Sequence, residues 1–420
     1  MKNYQFLLLL FISTFFQKVK SQSTEWCGTM KNVQQQIKNN PQLLQQFSDF
    51  KDELKHQEYN SERAASTTVY VPVVFHVVHN GDAIGSGENI TDAQLISQID
   101  AMNLDYNALD PDLVNVPAAF QNLVANCNIQ FCLAKFDPNG NPTTGIIRHQ
   151  MSQTSWDSST EIDNILKPAT IWDRSRYLNI WSVRMGGSLS SQGILAYSSF
   201  PFFGNANADG IVARYNTIGT TGTLITGYKK GKTVSHEAGH WFGLLHVWGD
   251  DNGLCSTDAN GGTDYITDTP DAADANYGCP SFPHVTCNNG PNGDMFMNYM
   301  DYTYDDCRNM FTLGQSARMQ FTLNGFRTSI RTASTQCFYS LDGSVAAATF
   351  PTDTICSLTF NPVIAIKNEG LTTITAGKFY FQIDGGNVQI FSWSGSIAAQ
   401  SSAQILLPVQ TVSVGAHTLD

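Results

Sequence analysis

His236-Glu237-Ala238-Gly239-His240-Trp241-Phe242-Gly243-Leu244-Leu245-His246 sets three imidazoles, a carboxylate and a glycine in the spacing H-E-x-x-H-x-x-G-x-x-H. On a helix His236 and His240, four apart, project from one face toward one ion. Gly243 is expected to end that helix, because glycine accepts a positive φ and lets the chain turn sharply. The turn then brings His246 round as a third ligand. Three neutral imidazoles leave the fourth tetrahedral position open for water, which marks a catalytic rather than a structural zinc site. Glu237 sits beside the first ligand, where its carboxylate can take a proton from that water. Chance histidines on an amphipathic helix are a poor alternative, since three of the nine histidines of the chain fall inside this one stretch. The other histidines stand singly and read as structural or surface residues.

Working outward, the N-terminal side alternates strand and helix patterns. TTVYVPVVFHVV (Thr67–Val78) reads as a strand, with Pro72 favouring an edge or a bulge. Thr91 and Gln94 form a capping-box pattern, followed by Leu95, Ile96, Ile99 and Met102 at helical period. Further strands are expected at Ile129–Ala134, Tyr177–Val183 and Gly210–Tyr215, and a helix containing Thr233–Leu245. On the other side a Gly/Asn/Asp-rich loop region runs from Gly249 to Asp301. A second capping box at Thr312 and Gln315 then opens a helix through Arg318, Met319 and Phe321. The predicted class is therefore mixed α/β. After Phe338 the pattern changes to short strands between turn signals (VIAIKNEG, KFYFQIDGG, QILLPVQ), which suits an antiparallel β-sandwich-like module. About 80 residues remain there, against ~100 for an immunoglobulin-like sandwich, so the module is expected to be incomplete.

Of 420 residues only 14% are charged, and the net charge is −12. An acidic chain without a Lys/Arg run excludes a nucleic-acid binder, which would carry a basic stripe, and offers no polybasic membrane anchor. Lys2 followed by the apolar run Phe6–Phe16 and small residues Ser21 and Ser23 reads as a cleaved secretory leader over residues 1–23, too short to span a bilayer. No later stretch is long and apolar enough to insert in a membrane. Nine cysteines fit an exported chain, which can keep disulfides, and the odd count leaves at least one without a partner. Cys127 and Cys132 lie on one expected strand, where five residues span ~16 Å, so they should not pair with each other. A Cys337–Cys356 pair is open, with nothing beyond the count behind it. Residues 24–63 are rich in Gln, Lys and Asn with apolar residues at loosely helical spacing, a small helical segment.

The eleven-residue pattern, followed downstream by NYMDY with Met300 and Tyr302, resembles the metzincin metallopeptidases, whose second mark is a Met-turn. The stretches CSTDANGGTDYITDTP and MNYMDYTYDDCRNMFTLGQSARM narrow the resemblance to the pappalysin branch and its ulilysin-like secreted members. The resemblance implies an α/β (α+β) catalytic domain over 64–338, with a twisted mixed sheet and an active-site helix, preceded by a pro-segment at 24–63 and followed by the β-module at 339–420. It implies a secreted endopeptidase acting on proteins or peptides. His236, His240 and His246 would hold zinc, with Glu237 as the base and Tyr302 stabilising the oxyanion. Met300 would be the apolar floor beneath the histidines. Cys255–Cys287 and Cys279–Cys307 would be disulfides. GTDYITDTP resembles the family's calcium loop, with ligands from Asp264, the Thr267 carbonyl and Thr269. Asp306 would sit at the base of a pocket that selects Arg or Lys just after the scissile bond. Cys27, in a Cys-Gly-Thr motif, would place a thiolate in the fourth zinc position, so that the pro-segment acts as the chain's own inhibitor. A disulfide from Cys27 to Cys127 or Cys132 is the alternative, and cleavage near Glu62–Arg63 would release the segment. A degenerate peptidase kept as an inactive binding scaffold is the rival reading, disfavoured because every catalytic position is intact.

Overall fold

The computed structural model describes residues 26–56, 68–202, 206–250, 255, 264–338 and 341–419. The expected leader and the expected cleavage point at Glu62–Arg63 lie outside these residues.

A six-stranded mixed sheet organises the chain. Its strands are β1 (Val69–His79), β2 (Ile129–Leu133), β3 (Ile146–Gln150), β4 (Leu178–Val183), β5 (Ala196–Ser198) and β6 (Ile211–Arg214). The order is β2-β1-β4-β6-β5, with β3 continuing beside β1 past the end of β2. All pairings are parallel except β5 on β6, which makes β5 an antiparallel edge. β1 carries the long β-branched run because both of its faces are covered. Val71, Val73, Phe75 and Val77 enter the main core, while Val74 and Val78 enter smaller clusters.

That central position corrects the expectation for Pro72. β1 is an interior strand, and proline is tolerated because β4 pairs only from Val73 onward, so Pro72 precedes the stretch paired on that side. Thr91 does cap its helix, α3 (Asp92–Tyr106), by accepting from the Gln94 backbone. The Gln94 side chain instead donates to the Ile218 carbonyl, holding a loop.

Two helices precede the sheet, α1 (Thr29–Asn39) and α2 (Leu43–His56), and their apolar residues Val33, Phe50 and Leu54 pack with Phe200 and Leu245. The HEAGH helix, α4 (Lys232–Trp241), is wholly buried. It ends at Trp241, short of the expected Leu245, and Gly243 takes φ +87° just beyond it. A second later helix, α5 (Leu313–Gly325), carries a complete capping box between Thr312 and Gln315.

Cys255–Cys287 and Cys279–Cys307 are disulfides, as implied by the family resemblance. Cys132 pairs with Cys337, tying β2 to the turn after α5, which removes both open alternatives for those two cysteines. Cys27, Cys127 and Cys356 are free. The C-terminal strands are β7 (Gly343–Phe350), β8 (Thr359–Phe360), β9 (Val363–Asn368), β10 (Ile374–Phe381), β11 (Gln389–Ile397), β12 (Ser402–Leu406) and β13 (Gln410–Thr411). They pair antiparallel in three small sheets around Ile364, Ile366, Phe381, Ile397, Ile405 and Leu407.

Candidate metal centre and active site

Helix α4 points His236 and His240 to one side, and the turn at Gly243 returns His246 to them. Together with Cys27 their ligand atoms lie within 4.8 Å of one another, all buried. The outer nitrogen of each imidazole is held from behind. His236 Nδ1 bonds the Tyr299 carbonyl at 2.7 Å and His240 Nδ1 the Leu244 carbonyl at 2.7 Å. A carbonyl can only accept, so both Nδ1 atoms carry the proton and both Nε2 lone pairs face inward. His246 Nδ1 bonds the Asp250 carboxylate at 2.8 Å, while Trp248 lies flat on its ring at 4.3 Å.

The result inside the cluster is a convergence of acceptors. His240 Nε2 and His246 Nε2 stand 3.1 Å apart, and His236 Nε2 has no hydrogen-bond partner. Burial and the neighbouring imidazoles hold His236 and His240 well below the ordinary histidine range, so protonation does not resolve the crowding. A buried set of nitrogen lone pairs beside a sulfur is the donor set of a zinc site, and carbonyl or carboxylate support behind each imidazole is what such ligands need. The residues therefore fit the ion.

Met300, on the turn after the long loop, lies beneath the helix. A Cβ built at Gly239 would run into Met300 Sδ, so the glycine inside H-E-x-x-H is what lets the methionine seat there. Behind the same helix, Asp105 accepts from Ser235 Oγ at 2.5 Å and from the Tyr299 hydroxyl at 2.7 Å. That network fixes the Tyr299 carbonyl on which His236 depends.

The segment preceding α1 enters the cleft along the edge of the sheet. Leu195 N donates to the Trp26 carbonyl at 2.7 Å, and Gly28 N to the Ala196 carbonyl at 2.8 Å. Cys27 Sγ then lies 3.5 Å from His240 Nε2. Burial, and next the Glu237 carboxylate, push the thiol well up, so a thiolate here requires a cation among the imidazoles. Thr29 Oγ1 donates to Glu237 Oε2 at 2.8 Å and accepts from Ser198 N at 2.8 Å. The other carboxylate oxygen of Glu237 is buried without a partner, and burial raises this acid to about 7. The Tyr302 hydroxyl donates to the Cys27 carbonyl at 3.3 Å.

Cys27, Glu237, the three histidines, Met300 and Tyr302 thus meet in one place. Asp306 has a side chain that is 71% exposed and pairs with Lys230 at 2.8 Å. The buried acid is its neighbour Asp305, which accepts from Arg308 at 2.6 Å. In the loop resembling a calcium site, Thr269 Oγ1 bonds the Asp264 carboxylate at 2.9 Å, Thr267 is exposed, and Arg318 holds the Asp264 carbonyl. Sequence reasoning missed Asp250, Trp248, Trp26 and the role of Thr29. An acid four residues after the third histidine was the available signal for the first.

The family model described as pregnancy-associated plasma protein-A, peptidase family M43, matches residues 161–324. An extracellular metalloprotease of Neurospora crassa is 31% identical over 268 residues, covering 63% of this chain and 78% of the relative. A mutant of promirolysin from Tannerella forsythia superposes with a TM-score of 0.64 at 41% identity, covering 74% of this chain and 99% of that one. Mature mirolysin of the same organism, in complex with a cleaved peptide, gives 0.59 at 45% identity over 65% of this chain and 99% of that one.

Proposed function

The chain belongs to the M43 (pappalysin) family of metzincin metallopeptidases, and from that premise we propose that it is a secreted zinc endopeptidase made as a zymogen closed by Cys27. The observation that carries the reading is the convergence of three imidazole lone pairs beside the half-satisfied carboxylate of Glu237. His236, His240 and His246 would hold the ion. When bound, zinc supplies a positive charge that acidifies water and polarises a carbonyl.

The protein's own groups do the remainder. Glu237 takes the proton of the attacking water and delivers it to the leaving nitrogen, as a base of raised pKa beside the reacting atoms should. Tyr302, whose hydroxyl already bonds a peptide carbonyl, that of Cys27, donates to the scissile carbonyl oxygen as it gains charge. Thr29 Oγ1 donates to Glu237 while Cys27 Sγ faces the imidazoles that would hold the ion, so in the zymogen one short motif would block both base and metal. The finer reading of calcium on Asp264, the Thr267 carbonyl and Thr269 is supported by the fully buried Asp264 carboxylate, whose hydrogen-bond donors are neutral. Asp306, exposed and paired with Lys230, gives no support to a preference for Arg or Lys.

The test is hydrolysis of a diverse quenched-fluorescent peptide set by chain freed of residues 24–63. Wild type should cleave, a chelator should abolish cleavage, and Glu237→Gln should lose at least ~10²–10⁴-fold of rate while retaining zinc. Zinc-loaded, folded wild type that cleaves nothing would contradict the proposal and favour the inert scaffold.

A further inference from the structure

One polar contact of the segment proposed as the pro-segment lies away from the metal. Asp163, on the π-helical turn Ile162–Leu166, has a side chain only 9% exposed, and its two oxygens have different partners. Its Oδ1 belongs to the body of the domain: Lys167 Nζ stands 2.8 Å away and the Tyr197 hydroxyl donates at 3.1 Å. Its Oδ2 is met, among the described residues, only by side-chain amides of helix α1, Asn32 Nδ2 at 3.1 Å and Gln36 Nε2 at 3.4 Å.

The cation on the other side is fixed. Lys167 is 1% exposed, donates also to the Ala208 carbonyl at 2.9 Å, and lies over the rings of Tyr197 and Trp181. Asp163 and Lys167 therefore form a buried pair close to neutral, whose remaining acceptor faces α1. Glu161, the neighbouring acid, is taken up by the Asp157 backbone N–H at 3.0 Å. A cavity of about 480 Å³ opens between α1 and this turn, and among the described residues lining it Asp163 alone is ionisable. The site also adjoins the strand edge along which the segment runs. Gly28, paired to Ala196, rests against Tyr197, since a Cβ built at Gly28 would stand 3.3 Å from that of Tyr197. The edge of β5 and Asp163 are thus joined through one tyrosine.

We propose that Asp163 is a second recognition point of the cleft. It grips the Asn32 and Gln36 amides while the N-terminal segment is in place, and afterwards takes the side-chain carboxamide of a substrate Asn or Gln lying two or more residues from the scissile bond. The proposal rests on the peptidase reading above and narrows its substrate class. An amide supplies the donor that Oδ2 lacks without adding charge. A Lys or Arg would bring a second cation beside Lys167, which the one carboxylate already neutralises, and an Asp or Glu would meet a like charge. An aliphatic side chain would cover the oxygen and leave it without a donor.

The experiment has two arms. In the first, zinc-loaded full chain freed of the segment digests a proteome-derived peptide library, and the new termini are read by mass spectrometry with Glu237→Gln material as the blank. Wild type should enrich Asn and Gln over Leu and Met by roughly three- to tenfold at one position beyond the two residues that flank the cut. The double variant Asp163→Leu/Lys167→Met removes the buried pair together, strands no charge, and should abolish that enrichment. In the second arm, Asn32→Ala/Gln36→Ala is made in the full chain. Alanine favours a helix more than either residue, so α1 is not weakened, and a faster onset of activity after zinc loading reads the lost contact. Should the Asp163 variant fail to fold, the wild-type profile and the second arm still decide. Enrichment of Lys or Arg at that position, no enrichment there, or enrichment that survives in the double variant would overturn the inference while leaving the peptidase intact. An unchanged onset would overturn it as well, because Oδ2 would then gain nothing from an amide. Absence of any cleavage would instead remove the peptidase reading, and the inference with it.

Discussion

Asp250 shows how much of the centre depends on a residue outside the eleven-residue motif. His236 and His240 are oriented by backbone carbonyls, which mutation cannot remove, but His246 relies on one side chain. A carboxylate behind an imidazole fixes the ring and raises its basicity. Asp250→Asn keeps the shape and loses the charge, so zinc affinity should fall by ~10–100-fold, as competition with a chromophoric chelator would register. Unchanged affinity would mean that the stacked Trp248 alone suffices to hold the ring. The three histidines and Glu237 were legible in the sequence because they stand in a spaced pattern whose chemistry requires those residue types, and Tyr302 and Cys27 only through the family resemblance; the structure brings all six together. Trp26 and Trp248 were not, since a tryptophan beside a motif carries no spacing signal, and its ring partners come from distant segments. Asp305 and Asp306 show the limit most sharply. Two adjacent acids are equivalent in sequence, and only burial, 2% against 71% for the side chains, separates them.

At the level of elements, the active-site helix is held by what it lacks as much as by what it bears. Gly239 is a poor helix former, and exchange for alanine would ordinarily gain ~1 kcal/mol. Here the added Cβ collides with Met300 Sδ, and overpacking of this kind costs ~1–3 kcal/mol. Gly239→Ala should therefore lower the thermal midpoint, whereas the same change in a Met300→Ala background should raise it or leave it unmoved. Destabilisation of equal size in both backgrounds would show that the Met-turn floor is not the reason for the glycine. The end of the helix is fastened separately: Arg327 Nε donates to the Trp241 carbonyl while the guanidinium makes two 2.9 Å bonds to Asp209. Secondary structure near the motif was readable to within a few residues because capping residues and β-branched runs act locally. The helix range drawn through Leu245 ran too far because Phe242 to Leu245 continue an apolar pattern, whereas the turn expected at Gly243 does follow the helix, with φ +87°. Pro72 was misjudged because strand order is a property of the whole sheet, not of the strand.

Across the whole molecule, the N-terminal segment proposed as the pro-segment is held at several separate places. Its helices pack Val33, Phe50 and Leu54 with Phe200 and Leu245, its backbone lines the β5 edge, and its Cys27 faces the histidines. Covering an open sheet edge with a removable segment leaves that edge free to pair with another extended chain once the segment departs. The run of short strands after Phe338 was visible as a shift in composition, but how the leading helices dock was not, since they meet the rest of the chain only through tertiary contact. The central claim is that Cys27 and the three histidines share one zinc ion, and that activation exchanges the sulfur for water. X-ray absorption at the zinc edge tests it directly, on the full chain before and after loss of the pro-segment. Before, the spectrum should show one sulfur at ~2.3 Å with nitrogens at ~2.0 Å; afterwards, and in Cys27→Ala from the outset, only nitrogen and oxygen. A zinc-loaded zymogen without a sulfur neighbour, or a sulfur that persists after the segment is removed, would contradict the account.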